Sequence, residues 1–168
     1  MHTRELNSNL APQPASSYSQ AVEVTGATGI LHVSGQIGTE IDGTAPPSMT
    51  EQARLAWRNL AAQLAAADMS FDNLVKVTQY IADIGEIGES RVARAEALGD
   101  RRPASTVVSC ALANPAWKIE IEAIAYARAA LERARVDRRR GCQLTSEATI
   151  RRYETRAFAQ GRRSVKAV

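Results

Sequence analysis

The sequence predicts an α+β domain in which two helices cover one face of a mixed β-sheet. Three observations lead there. Residues 118–125 alternate strictly, with Ile119, Ile121, Ala123 and Ala125 on one side and Lys118, Glu120 and Glu122 on the other, the mark of a strand with one buried face. Ser48-Met49-Thr50-Glu51 is a capping-box signature that opens a helical stripe of Ala53, Trp57, Leu60, Leu64 and Ala67. Strand and helix patterns then follow one another as ββ(β)αβαββ, with no internal repeat.

In chain order, residues 1–20 are rich in Ser, Pro and Asn and read as an irregular arm, with Tyr18 near its end. Residues 21–26 and 30–34 alternate, and the short turn at 27–29 suggests a hairpin between them. Ser34-Gly35-Gln36-Ile37-Gly38 places glycine inside a strand pattern, which marks a bulge or a close backbone approach. The helix opened by Ser48 extends to about Asp68. Residues 73–81 read as a strand with Val75, Val77 and Ile81 inward. Residues 84–98 form a second helix with Ile87, Val92, Ala95 and Leu98 as its apolar face and Gly99 as its C-terminal stop. The next strand puts Ala104, Thr106, Val108, Cys110 and Leu112 on a core face and Ser105, Val107 and Ser109 opposite. A loop at 113–116 leads to the final strand. There Glu120 and Glu122 stand two residues apart, about 7 Å along one face, which suits the lining of a cavity.

Bulk properties set the limits. The 168 residues suffice for one domain with a core and an appendage. No apolar run reaches the roughly 18 residues of a membrane span, and residues 1–6 lack the apolar segment of a secretory signal. These features point to a cytoplasmic protein. Cys110 and Cys142 give neither a disulfide framework nor metal spacing, and Cys110 reads as a small buried hydrophobe. His2 and His32 have no ligand cluster around them, so no metal is expected. The net charge of +3 is divided unevenly. Residues 1–127 hold 9 Lys+Arg against 14 Asp+Glu, a net −5, and residues 128–168 hold 12 against 4, a net +8. A boundary therefore falls near Arg128. The domains are a flexible arm at 1–14, a folded domain at 15–127 and a basic, partly helical or disordered extension at 128–168.

Six pieces of this sequence, in this order and spacing, resemble the Rid family of reactive-intermediate deaminases, also called the YjgF family. They are Tyr18; Val33-Ser34-Gly35-Gln36-Ile37; Asn59-Leu60; Val75-Lys76-Val77-Thr78; Arg102-Pro103-Ala104-Ser105; and residues 118–125, the most specific of them. The resemblance implies a chorismate-mutase-like fold assembled as a homotrimer, with sites in clefts between subunits. It implies hydrolysis of enamines or imines to a carbonyl compound and ammonia, with no metal and no cofactor. Carried over residue by residue, Glu120 would position and activate the attacking water. Tyr18 would cap the cleft, Ser34 and Gly35 would offer a hydroxyl and a backbone N–H to developing charge, and Ser105 and Val107 would line the substrate space beside Glu120. There is one departure. Where deaminating members carry an arginine that binds the substrate carboxylate, this chain has Ser105, so its specificity should differ from that of enzymes acting on 2-aminoacrylate. Arg101 and Arg102 lie close by but precede Pro103, as surface arginines at a helix–strand junction do.

Each of these residues also has a plain structural reading: Glu120 as a carboxylate bonded across an interface, Tyr18 as an anchor for the arm, Ser34-Gly35 as a bulge. Three function classes follow: a cofactor-free imine or enamine hydrolase, a non-catalytic metabolite-binding trimer, and an RNA-directed role. A domain at −5 argues against phosphate backbone, so contact with nucleic acid or an anionic surface is confined to the tail. In the tail Ile150, Tyr153, Ala157 and Phe158 would share a helical face among arginines.

Overall fold

The structure, a computed structural model, describes residues 1–127 apart from Pro12 and Ala15. The helices expected within 128–168 lie outside the described residues. The elements are β1 (His2–Leu6), β2 (Ala21–Thr25), β3 (Gly29–Ile37), α1 (Met49–Ala66), β4 (Leu74–Ile81), α2 (Ile87–Leu98), β5 (Ala104–Ser109) and β6 (Ile119–Ala127), with single 3₁₀ turns before β4 and α2. Four strands form a mixed sheet in the order β3-β6-β4-β5. β6 runs antiparallel to both β3 and β4, and α2 is the crossover that brings β5 parallel to β4. This is the expected α+β layout.

The central strand behaves as its alternation requires. Ile119, Ile121, Ala123 and Ala125 are buried in one cluster with Val77 and Ile81 of β4, Trp57, Leu60 and Leu64 of α1, and Ala93 and Leu98 of α2. The opposite face, with Glu120, Glu122 and Ile124, is only half-buried.

Helix α1 starts where its cap dictates. Ser48 holds an extended backbone and its hydroxyl accepts from the Glu51 N–H, which satisfies one orphan donor of the first turn. At the other end Asp68 takes φ 53, and the N–H groups of Asp68 and Met69 bond back to Ala65 and Leu64. That is a Schellman stop with aspartate in the left-handed position usually held by glycine.

Four expectations need correction. Residues 2–6 are a strand rather than part of an irregular arm. β1 pairs antiparallel with β2, and Arg4 sits opposite Glu23 with an ion pair at 3.1 Å. Every residue of β1 is exposed, so no apolar period announced it. There is no β2–β3 hairpin either: β2 pairs with β1, while β3 takes its partner from the far end of the domain, β6. The buried face of α2 is Ser90, Ala93, Ala97 and Leu98, and Val92 is 52% exposed. Ser90 belongs inside because its hydroxyl bonds the buried Gln79 side chain at 3.3 Å. Finally, β5 has no covered core face, and Cys110 is exposed. β5 is the edge strand of the sheet, and Cys110 follows its end with its N–H on the Ile81 carbonyl.

Candidate functional site

Glu120 and Gly35 meet at the bulge of β3. The ladder passes from Val33 opposite Ala123 to Gln36 opposite Ile121, so Ser34 and Gly35 together face Glu122 alone. Gly35 is required there by space. A Cβ built on it would stand 1.7 Å from Oε1 of Glu120, so the carboxylate lies directly over the glycine backbone. The two strands that carry this contact are pinned from behind. Asn59 of α1 donates to the carbonyls of Ile37 and Thr39, both at 3.0 Å, and fixes the exit of β3. Gln52 of α1 is fully buried. It donates to the carbonyls of Pro46 and Ala116 and accepts from the Lys118 N–H at 2.8 Å, which fixes the approach to β6 two residues before Glu120.

Beside Glu120 the sheet's open face carries a chain of polar groups. Tyr80 sits opposite Glu120 in the ladder, and its hydroxyl donates to Oε1 of Glu122 at 3.2 Å. Desolvation first, then the bond to Glu122 and the charges around it, push the Tyr80 hydroxyl above the ordinary phenol range. Lys76 bonds the Thr106 hydroxyl. His32, Ser34, Lys76, Thr78 and Glu122 line a groove of about 410 Å³ on this face. Among the described residues no group of three His, Cys, Asp or Glu side chains could hold a metal ion.

Tyr18, Ser105 and Val107 lie elsewhere, at the rim. Ser19 forms an isolated parallel bridge with Ala104, which brings Tyr18 alongside the start of β5. Tyr18 and Ser105 are half-buried and Val107 is 41% exposed. From α2, Arg94 donates to the Ser17 carbonyl at 2.8 Å. The expectation that Glu120, Ser105 and Val107 share one face fails on the register. Ser105 sits opposite Val77 and Val107 opposite Gln79, both on the helix side of the sheet, whereas Thr106 and Val108 share the face of Glu120. β4 also separates β5 from β6, two strand spacings or about 10 Å. So Ser105 and Val107 are parted from Glu120 both by a strand and by the plane of the sheet.

Arg101 does not stand in for the arginine that Ser105 displaces. Its Nε bonds Asp72 at 2.7 Å and a second nitrogen bonds the Leu98 carbonyl at 3.0 Å. Sequence reasoning missed Tyr80 and Arg94. Arg94 was detectable only from the true buried face of α2, where it falls four residues after Ser90 and three before Ala97.

The geometry defines a class: a small α+β domain with a carboxylate laid over a glycine bulge on the open face of its sheet. The comparisons with known proteins narrow it. The family model described as Endoribonuclease L-PSP matches residues 8–127, and the chain belongs to this family, the RutC/Rid/YjgF family. It is 34% identical over 122 residues to a RutC family protein of Pyrococcus horikoshii, covering 69% of this chain and 91% of that one. It is also 34% identical over 122 residues to the 2-iminobutanoate/2-iminopropanoate deaminase of Rattus norvegicus, covering 71% and 87%. Among solved structures, a protein of the conserved Rid family from Yersinia pestis superposes with a TM-score of 0.66 at 25% identity, over 75% of this chain and 99% of that one. No helix among the described residues is long and apolar enough to cross a membrane.

Proposed function

We propose that this chain forms a homotrimer whose inter-subunit clefts hydrolyse an imine or enamine to a carbonyl compound and ammonia. The observation that carries the reading is the Glu120 carboxylate seated over Gly35 at a strand bulge, in a chain 34% identical to a protein named as an imine deaminase. The separation of the clusters supports the assembly. Glu120, Ser34 and Gly35 lie on one face, Ser105 and Val107 on the rim of the other, and Tyr18 next to the bridge at the start of β5, so in this reading a complete site joins the bulge of one copy to the rim of the next. Such a head-to-tail contact closes into a three-membered ring when each copy is turned by one third of a circle from the last.

In this reading water lies between Glu120 and the C=N carbon. Glu120 takes a proton as the water oxygen bonds to that carbon and the C=N π electrons move to nitrogen. The bulge at Ser34-Gly35, which has no full ladder partner, meets the polar end of the substrate. Glu120 returns its proton to nitrogen to give the carbinolamine, then takes the carbinol hydroxyl proton and delivers it to the same nitrogen as the C–N bond breaks, which releases the carbonyl compound and ammonia. An enamine enters after protonation at carbon. Every atom is accounted for by imine and water, and no cofactor is called for.

Ser105 favours a second reading, a trimer that binds metabolites in the same cleft without turning them over, because a neutral hydroxyl cannot replace a guanidinium as a carboxylate anchor. Ammonia release from freshly generated imines, with and without a carboxylate, separates the two. Glu120→Gln is expected to lower kcat/KM for any imine turned over by at least about 100-fold, the scale of a lost general base. Turnover unchanged in Glu120→Gln would exclude the mechanism.

A further inference from the structure

Four described arginines answer a carboxylate: Arg4 meets Glu23, Arg54 meets Glu96, Arg58 meets Glu40 and Arg101 meets Asp72. Arg94 is different. Its Nη1 donates to the Ser17 carbonyl at 2.8 Å, while its Nε and Nη2 are closed off from solvent with no hydrogen-bond partner among the described residues. Burial lowers its pKa, and no neighbouring carboxylate counters the effect. Nε and Nη2 form one edge of the guanidinium, the edge whose two parallel N–H groups match the two oxygens of a carboxylate. A desolvated cation with that edge unspent has a strong preference for an anion of matching shape.

The edge also lies in a telling place. Ser17 is two residues from Ser19, a step of at most about 7 Å, and Ser19 bridges to Ala104 next to Ser105. Arg94 therefore meets the same short segment that brings Tyr18 to the start of β5 beside Ser105. The arm segment that meets Nη1 through Ser17 is itself tied to β5 by the isolated bridge at Ser19.

We propose that Arg94 is the anion anchor of the cleft, and that it takes a carboxylate carried at the far end of a longer substrate rather than one adjacent to the C=N carbon. The short, neutral Ser105 leaves the passage open. This assignment rests on the reading of the cleft as an imine site, and it names the substrate class: imines with a distal carboxylate several bonds from the reacting centre.

The test uses the full-length protein and two open-chain probes of equal length, 2-oxoglutarate and 5-methyl-2-oxohexanoate, in which the distal carboxylate is replaced by an isopropyl group of the same shape. Titration calorimetry is expected to show 2-oxoglutarate binding wild type at least about tenfold tighter, the scale of a bidentate charge-assisted pair. Arg94→Gln should remove that difference, and Arg94→Lys should keep part of it. Equal affinity for the two probes, no binding of either, or an equal loss for both in Arg94→Gln would overturn the assignment, the last by making Arg94 a clamp for the arm. Because binding needs no turnover, a protein that discriminates the probes yet releases no ammonia from imines leaves the anchor standing and faults only the hydrolytic reading.

Discussion

The bulge and the rim of this sheet are built to different standards of completeness. At the bulge, each position is fixed by something else in the same chain. Gly35 makes room for Glu120, Asn59 holds the exit of β3, and Gln52 satisfies three backbone groups around the approach to β6. At the rim, β5 has one neighbour in the sheet, Val107 and Val108 are exposed, and Tyr18 stands next to an isolated bridge. The contrast is the one the proposed assembly requires, with the rim as half of a surface. An edge strand with unpaired backbone and exposed valines is ordinarily covered or blunted, and a second copy of the chain would cover it.

Substitutions can break this contrast, and the largest effects should fall at the bulge. Gly35→Ala puts a methyl group 1.7 Å from the Glu120 carboxylate, so the glutamate must move. Turnover should fall by about 100-fold, as for other displaced catalytic groups, with the fold retained in circular dichroism. An active Gly35→Ala protein would show that Glu120 need not sit there. Gln52→Ala leaves the carbonyls of Pro46 and Ala116 and the Lys118 N–H without their partner. Urea unfolding should give a loss of about 2–4 kcal/mol, several times the usual surface effect. A loss within the surface range would mean that water replaces the glutamine at no cost. The rim should respond in specificity rather than stability. Ser105→Arg should change the unfolding free energy by less than about 1 kcal/mol at this half-buried edge position. It should raise kcat/KM for 2-iminopropionate by about tenfold or more through a charge-assisted pair with its carboxylate. Fast wild-type turnover of 2-iminopropionate would show that no arginine at position 105 is needed.

The same contrast decides what could be read from the sequence. β6 and α1 were legible because each buries one face, and burial writes a period of two or 3.6 into the residues. The glycine within the β3 pattern announced the bulge that receives Glu120. β1 was not legible, since none of its five residues is buried and nothing apolar repeats. The partner of β3 was misassigned because the turn at 27–29 favoured a local hairpin, whereas the pairing is made with residues 119–127. The face of α2 was drawn through Val92, and the true face includes a serine whose burial depends on Gln79, 11 residues earlier. The alternation of β5 was read with its faces exchanged: Thr106 and Val108 share the open face with Glu120 while Ser105 and Val107 turn to the helix side, and an edge strand with little burial on either face gives no signal to tell them apart. Arg94 depends on two such non-local facts at once, the true face of α2 and the path of the arm.

Subunit complementation most directly tests the central claim that bulge and rim meet only between copies. Glu120→Gln disables the bulge, and Ser105→Trp fills the rim. Each variant alone should be inactive toward the imine that wild type turns over best. Refolding the two together in equal amounts is expected to recover activity. In a randomly mixed head-to-tail ring, about one quarter of the clefts pair an intact bulge with an intact rim. A mixture as inactive as its components, with mixed assemblies confirmed by mass, would contradict the claim and return the whole site to a single chain.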